Sequence, residues 1–284
     1  MKLARFDAGA GPRVGIIKND KVIDIQSAGS RYATMAQIIE AGDAGLAALR
    51  DIAAVRDGDF LLSQVQLLAP VERPGKYLAI GMNYQKHLEE ADKLGVARAK
   101  HQIWFNKQTT CLSGPFDEIE TGVTEKLDYE VELGLVVGKR AKGVSPEDAL
   151  SYIFGYVVAN DVSARDWQFH SSTFMMGKSF DTHGPVGPWI VTADEVPDPQ
   201  CLDLRCFVNG DLRQSNNTAN MIHRIDAQIA YLSTAFTLEP GDLIATGTPE
   251  GVGIGREPQL FLAVGDVVRC EIDGIGAIEN RVIA

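Results

Sequence analysis

The chain has 284 residues, of which 45% are hydrophobic and 23% are charged, a composition typical of a globular protein with a full core. Its formal net charge is -11 at pH 7, and no cluster of Lys and Arg offsets that charge locally. Because an acidic surface repels a phosphate backbone, the composition argues against nucleic-acid binding.

The cysteines and the N-terminal residues favour a reduced, cytoplasmic protein. None of the 4 cysteines forms a C-x-x-C pair, and no His–Cys grouping has the spacing of zinc ligands. The first residues lack the apolar stretch of a signal peptide, and no run approaches the roughly 18 apolar residues that cross a bilayer. We therefore expect a protein of the cytoplasm that does not bind a membrane.

Turn residues divide the chain near position 70. The segment Pro70-Val71-Glu72-Arg73-Pro74-Gly75 is rich in turn-forming residues and marks a domain boundary. Before it lie a predicted hairpin (14–17 and 21–25), a predicted helix (35–49) and a predicted strand (61–68). We predict a small N-terminal α/β domain over residues 1–70 and a second domain over residues 71–284.

Short apolar runs rich in β-branched residues dominate the rest of the chain. The predicted strands are 77–80, 129–137, 154–159, 189–192, 204–208, 243–246 and 267–272. Asn209-Gly210 and Asp273-Gly274 stand between strands and predict hairpin turns.

Two helices are predicted among these strands. Apolar residues recur at helical spacing over 221–236, and Ser145 followed by Pro146 predicts the start of a helix over 147–153. Together the elements predict a mostly β protein with some α-helix, of the α+β class.

Two glutamates stand in the longest predicted strand. Glu130 and Glu132 are two residues apart, so their side chains share one face of a strand that is otherwise apolar. Because neighbouring carboxylates repel and are costly to bury unpaired, a hard cation such as Mg²⁺ or Mn²⁺ between them would resolve the conflict. Solvated acids on an exposed strand face are the ordinary alternative. Asp161 ends the next predicted strand, where it could join them or could cap a turn or helix.

A histidine and a glutamate follow the strand at 77–80. His87 and Glu90 are three residues apart in a predicted helix, so they share a face. A histidine held by a carboxylate can act as a general base that activates water, although such pairs are also routine on solvated helices. Arg165 and Lys178 could hold a substrate carboxylate or stabilise an enolate, and each is alternatively a surface charge.

Five segments, taken in this order, are similar to the fumarylacetoacetate hydrolase family, and the resemblance runs from about Tyr77 to the C-terminus. The segments are Gly81-Met82-Asn83-Tyr84 with His87 and Glu90, Asp128-Tyr129-Glu130-Val131-Glu132-Leu133, Asn160-Asp161-Val162-Ser163-Ala164-Arg165-Asp166-Trp167-Gln168, Gly177-Lys178-Ser179-Phe180-Asp181, and Thr246-Gly247-Thr248-Pro249-Glu250-Gly251-Val252-Gly253. The resemblance implies a mixed β-sandwich roll preceded by a small N-terminal domain, and a homodimer.

The same resemblance implies a role for each candidate site residue. Mg²⁺ or Mn²⁺ would be bound by Glu130, Glu132 and Asp161. The water-activating pair, on a segment that closes over the substrate, would be His87 and Glu90. Lys178 would contact the substrate oxyanion. The remaining residues of the substrate pocket would be Lys107, Arg165, Gln168 and Thr248.

The reaction implied is metal-dependent hydrolysis of the C3–C4 carbon–carbon bond of a 2,4-dioxo acid, such as an acylpyruvate or fumarylpyruvate, to pyruvate and a carboxylic acid. Decarboxylation of oxaloacetate and isomerisation of a 2-hydroxy-diene-dioate are alternatives within the family. Outside the family, the alternative is a non-catalytic, metal-stabilised binding protein. Such a protein would be expected to have lost some of the acids or the His–Glu pair, and all are present in this sequence.

Overall fold

A computed structural model describes residues 1–93, 95 and 98–284. Within these residues the strands are β1 (Lys2–Asp7), β2 (Pro12–Lys18), β3 (Lys21–Asp24), β4 (Phe60–Leu61), β5 (Gln66–Leu68), β6 (Tyr77–Gly81), β7 (Ile103–Lys107), β8 (Leu112–Ser113), β9 (Ile119–Glu120), β10 (Leu127–Asp128), β11 (Val131–Val137), β12 (Ile153–Asn160), β13 (Ser163–Ala164), β14 (Gly184–Thr192), β15 (Asp203–Val208), β16 (Asp211–Asn217), β17 (Leu243–Ala245), β18 (Val267–Ile272) and β19 (Gly276–Ile283). The α-helices are α1 (Met35–Val55), α2 (Gln85–Lys93), α3 (Arg165–Gln168) and α4 (Ile225–Ala235).

The larger sheet runs through both parts of the chain. Its strand order is β4-β3-β2-β1-β14-β12-β11-β17-β6-β7, with β5 paired to β1 and β8 paired to β14. Strand β1 is antiparallel to β14, with Lys2 opposite Val191. The first seventy residues therefore extend the sheet that carries the later strands, and the domain division at residues 70 and 71 stays a prediction.

A second sheet, of order β16-β15-β18-β19-β9, packs on one face of β11, β12 and β14. Leu133 and Leu135 of β11 belong to the core between the two sheets, which includes Leu204 of β15. On the other face, Val136 packs in a core that contains Ile38 of α1. Strand β11 is thus covered on both sides, which explains its nearly continuous apolar sequence. The predicted α+β class is confirmed.

The three predicted hairpins are confirmed. Strands β2 and β3 pair across a turn that contains Asn19 at φ 57°. Asn209 and Gly210, at φ 54° and 85°, join β15 to β16. Positive φ at both central residues is the backbone of a two-residue hairpin turn, which Asn-Gly adopts readily. The turn between β18 and β19 contains Gly274 at φ 78°.

The helix predicted over 147–153 is wrong. The structure has a short 3₁₀ segment, Ala149–Tyr152, and Ile153 already pairs with Val137 as the first residue of β12. The backbone amide of Asp148 donates to the Ser145 hydroxyl at 3.4 Å, so Ser145 closes a turn. Sheet pairing overrides the local start signal because β12 lies at the centre of the large sheet.

Several other predicted elements have different limits from those expected; the strand predicted over 189–192, for example, begins at Gly184. Helix α4 begins only at Ile225, because Met221 forms a β-bridge with Tyr84 and is held outside the helix. Helix α1 continues to Val55 and kinks at Gly42, where φ is 54°. The strand predicted over 61–68 is divided by a 3₁₀ turn at Leu62–Gln64.

No helix in the described part of the chain is both long and apolar enough to cross a membrane. The cysteines are free thiols; Cys201 is exposed and the other three, Cys111, Cys206 and Cys270, are buried.

His183 is a buried polar residue at the start of β14. Its Nε2 lies 2.8 Å from the carbonyl oxygen of Glu120 in β9, and its ring stacks on Phe180 with centroids 5.2 Å apart. Burial lowers the pKa of His183 to about 4. The neutral ring therefore donates from Nε2 to Glu120 and links β9 to the large sheet.

We predict that His183 makes the free energy of unfolding fall on acidification. The folded pKa lies below the ordinary value of 6.5, so between pH 6.5 and 4 the unfolded chain binds a proton that the folded chain does not. The loss amounts to about 3 kcal/mol at pH 4 relative to pH 7. His183→Gln keeps a donor for Glu120 but cannot titrate. Urea unfolding of both proteins from pH 7 to pH 4 should show the wild type losing that much more stability than the variant.

His101→Gln is the control, because His101 is exposed. A stability difference between wild type and His183→Gln that does not change with pH would contradict the prediction.

Candidate metal centre

Three carboxylates meet where β11 and β12 pair. Glu130 lies in the break between β10 and β11, Glu132 is the second residue of β11, and Asp161 directly follows β12. Oxygen atoms from all three lie within 4.8 Å of one another, and all three side chains are buried. The antiparallel register brings them together, since the amide of Asp161 donates to the carbonyl of Glu130 at 2.9 Å.

Side-chain amide groups accept hydrogen bonds from the backbone at the break between β10 and β11. The backbone amide of Glu130 donates to Asn160 Oδ1 at 3.0 Å, and that of Val131 donates to Gln214 Oε1 at 3.0 Å. Both amides are therefore paired without a regular ladder at this point. Glu130 can then turn toward the same side as Glu132, as predicted, although it precedes β11 and does not lie within a continuous strand over 129–137.

Buried cations surround the carboxylates. Lys178 Nζ lies 2.8 Å from Glu130 Oε2 and 2.7 Å from Asp161 Oδ2. Lys107 Nζ lies 2.5 Å from Asp161 Oδ1, and a terminal nitrogen of Arg165 lies 2.7 Å from Glu130 Oε1.

The surroundings of Glu130 and Glu132 shift the pKa values of these two side chains in opposite directions. Burial raises the pKa of Glu130, but Lys178 and Arg165 outweigh it and lower the pKa to about 2. Burial raises the pKa of Glu132 well above its usual range, and the neighbouring charges of Asp161 and Glu130 raise it further. Glu132 accepts a hydrogen bond from the amide of Gly247 at 2.7 Å, whereas no ion pair to it occurs within the described residues.

The donor set fits a divalent cation. Counting Asp128, the buried group has one more carboxylate than cations: the acids are Asp128, Glu130, Glu132 and Asp161, and the bases are Lys107, Arg165 and Lys178. A divalent ion would bring the net charge of this group from -1 to +1 when Glu132 is ionised. Three carboxylates with oxygens this close suit Mg²⁺ or Mn²⁺, which prefer hard oxygen ligands.

The His–Glu pair lies on α2, beside a pocket that Glu130 and Lys178 also line. His87 Nδ1 is 3.1 Å from Glu90 Oε2, and the other oxygen of Glu90 accepts from the amide of Gly251 at 2.9 Å. Gly255 leaves room for this carboxylate, since a Cβ there would lie 2.9 Å from Glu90 Cδ. His87 and Glu90 line the pocket together with Glu130 and Lys178.

Asp128 positions Arg165 at the pocket wall, a role that sequence reasoning missed. Its Oδ2 accepts from Arg165 Nε at 2.8 Å, and its oxygens also accept from the amides of Gly253 at 2.7 Å and Ile254 at 3.0 Å. Arg165 in turn donates to Gln168 Oε1 at 2.9 Å. Asp128 lies inside one of the five family-like segments, but the spacing of that segment does not distinguish it from its neighbours as a candidate site residue.

Most of the predicted site residues line one pocket, and three do not. Those that line it are His87, Glu90, Glu130, Arg165, Gln168, Lys178 and Thr248. Glu132 and Asp161 are buried next to the pocket in the carboxylate cluster, and Lys107 contacts Asp161 without lining it. The hydroxyl of Thr248 donates to the carbonyl of Val131 at 2.9 Å and accepts from Gln214. The roles of these residues stay predictions, including substrate binding by Lys107, Arg165, Gln168 and Thr248.

Comparison with known families identifies the chain. The family described as fumarylacetoacetate (FAA) hydrolase C-terminal matches residues 76–283. The chain belongs to the fumarylacetoacetate hydrolase family. Enzymes of this family share the fold of this chain, and the candidate metal centre lies in the matched region.

The relatives carry names for several reactions. Oxaloacetate tautomerase fahd2, mitochondrial, from Xenopus laevis is 41% identical over 100% of this chain and 90% of its own length. Maleylpyruvate hydrolase from Sphingobium sp. SYK-6, solved with manganese(II) ion and pyruvate, is 35% identical at a TM-score of 0.82, with 100% and 99% of the two chains covered. A 5-carboxymethyl-2-hydroxymuconate delta-isomerase from Mycobacterium smegmatis is 32% identical at a TM-score of 0.78, with 100% and 98% covered.

We predict that Glu132→Gln removes divalent-metal binding without unfolding the protein. The amide oxygen can still accept from Gly247, and the variant loses the carboxylate that burial and its neighbours disfavour. The metal-free melting temperature should therefore be unchanged or higher. Adding Mn²⁺ at a hundred times its Kd should stabilise the wild type by about 2.7 kcal/mol and leave the variant unchanged.

Thermal unfolding with and without Mn²⁺ provides the measurement, and Glu125→Gln, at an exposed acid, is the control. A Glu132→Gln variant with a full metal-induced increase would contradict the assignment of Glu132 as a ligand.

Proposed function

We propose that this protein hydrolyses the C3–C4 bond of a 2,4-dioxo acid to pyruvate and a carboxylic acid. The observation that carries the proposal is the His87–Glu90 pair, which lines the same pocket as Glu130 and Lys178. A base at one side and a carboxylate–cation cluster at the other are the two elements that water attack on an acyl group requires.

Glu130, Glu132 and Asp161 would hold Mg²⁺ or Mn²⁺, and a divalent ion there supplies positive charge that stabilises an enolate. Lys178 provides a second source of charge. Its ammonium group has three N–H donors, and two of them donate to Glu130 and Asp161. The third can donate to a substrate oxygen on which negative charge develops.

His87 acts on water. Since Glu90 accepts from Nδ1, the hydrogen of the neutral ring is placed there and Nε2 is left as the basic nitrogen. Nε2 takes a proton from water while the hydroxyl bonds to C4, and Glu90 stabilises the resulting imidazolium. The electrons of the C3–C4 bond pass to the leaving enolate, which takes up a proton at C3 to become pyruvate.

Keto–enol tautomerisation is a second candidate, favoured by the similarity of the whole chain to the oxaloacetate tautomerase of Xenopus laevis. The same His87–Glu90 pair could move a proton between C3 and solvent without attack on C4. No carbon–carbon bond would then break. Decarboxylation and diene-dioate isomerisation stay predictions, as do the homodimer and the cytoplasmic location; the relative named above is mitochondrial.

The two candidates differ in their products. We expect the protein with Mn²⁺ to convert acetylpyruvate to pyruvate and acetate, followed by proton NMR, and EDTA to abolish the reaction. Rapid loss of the enol absorbance of oxaloacetate, with no cleavage of acetylpyruvate, would instead support the tautomerase.

We predict that His87→Asn lowers kcat for hydrolysis by about 10²- to 10⁴-fold, the usual contribution of a general base. Glu90→Gln should cost less, about 10- to 100-fold, because Glu90 acts by orienting His87. Mn²⁺ binding should be unchanged in both variants, since neither residue is among the proposed ligands.

Glu89→Gln, at an exposed acid on the same helix, is the matched control and should retain full activity. Full activity in His87→Asn would rule out His87 as the base.

A further inference from the structure

Three aromatic rings form one side of the pocket, and we call Phe105, Phe174 and Phe169 the aromatic wall. The rings of Phe105 and Phe174 meet edge-to-face with centroids 6.1 Å apart, and those of Phe174 and Phe169 do so at 5.9 Å. Phe105 is 6% exposed and Phe169 is 55% exposed. The aromatic wall therefore runs from the interior to the surface.

The inner end of the aromatic wall adjoins the carboxylate cluster. Lys178 Nζ lies 5.2 Å from the ring centroid of Phe105, and the same nitrogen contacts Glu130 and Asp161. All three rings line the pocket that also contains His87. A molecule whose polar head lies at the cluster would thus extend its other end along these rings.

The conformation of Phe174 also points to a positioned ring. Its φ is 61°, in the left-handed region that a bulky side chain rarely adopts. The strain is held in place by a turn, since the amide of Gly177 donates to the carbonyl of Phe174 at 3.1 Å. Strained residues of this kind concentrate at ligand sites.

Within the described residues, the pocket has no unpaired Lys or Arg that could serve as the counter-ion of a second substrate carboxylate. Among the described residues that line it, the Lys and Arg side chains are Lys178 and Arg165. Each is already paired with two buried carboxylates, and Glu130 is common to both. Apolar side chains, including Ile80 and Ile254, complete the lining. A charged distal group would lose hydration there without an ion pair.

We propose that the far end of the substrate is an alkyl or aryl group that packs along the aromatic wall. The substrate class is then a 2-oxo acid with a single carboxylate and an apolar tail. This inference rests on the proposed function, which places the 2-oxo acid head at the carboxylate cluster. An acylpyruvate with an apolar acyl group fits it better than fumarylpyruvate or oxaloacetate, each of which carries a second carboxylate.

Calorimetric titration of the full-length, Mn²⁺-loaded protein tests the proposal through binding alone. The probes are pyruvate, 2-oxooctanoate and 2-oxoadipate, which lack a 4-oxo group and so cannot undergo the proposed cleavage. Burial of one methylene strengthens binding by roughly fourfold, so 2-oxooctanoate should bind at least about tenfold tighter than pyruvate. 2-Oxoadipate should bind no tighter than pyruvate.

Phe169→Ala should lower the affinity ratio of 2-oxooctanoate to pyruvate by about fivefold or more, since it removes apolar contact area from the tail. Phe116→Ala is the matched control, because Phe116 is also 55% exposed but lies in a separate groove with Leu61 and Trp189. The ratio should not change in this control.

Two results would overturn the proposal and leave the proposed function standing. One is retained pyruvate binding with tighter binding of 2-oxoadipate than of 2-oxooctanoate, and the other is an equal ratio in Phe169→Ala and Phe116→Ala. Failure of all three acids to bind in the presence of Mn²⁺ would overturn the proposed function as well.

Discussion

The ion pairs that join Lys178 to Glu130 and Asp161 hold together the site and the strands that carry it. Burying these charges is costly unless each is paired, and within the described residues all of the central carboxylates except Glu132 are paired with a cation. Two apolar cores, one on each face of β11, supply the burial that offsets this cost. Glu132 is therefore the carboxylate of this group that is costliest to ionise, and a divalent cation bound there would stabilise its charge.

The same arrangement separates the pocket into two chemical halves. Charge is concentrated at the ends of β11 and β12, while the outer half is formed by the aromatic wall and aliphatic side chains. Such a division orients a small ligand without many hydrogen bonds. The charged half favours the polar end of the ligand, and the apolar half favours its apolar end. Orientation matters for either candidate reaction, since His87 must face one particular carbon atom.

The sequence was sufficient for the parts of the structure that local chemistry controls. The two-residue spacing of Glu130 and Glu132 predicted a shared side, and Asn209-Gly210 predicted its hairpin. It was not sufficient where distant segments compete for the same backbone, as at Met221, which pairs with Tyr84 and shortens α4. The aromatic wall had no signal either, because its rings come from a strand and two loop positions with no common spacing.

Main-chain amides of the loop after β17 contact both the carboxylate cluster and the His87–Glu90 pair. The amide of Gly247 donates to Glu132, and four residues later the amide of Gly251 donates to Glu90. The distance between the proposed metal ligands and the proposed base is thus fixed in part by peptide geometry, which side-chain substitutions leave in place. Evolution could exchange residues around this pocket to alter what it accepts while the loop keeps its length. Inserting or deleting one residue between the two glycines would instead change the spacing of the carboxylate cluster and the His87–Glu90 pair in a single step.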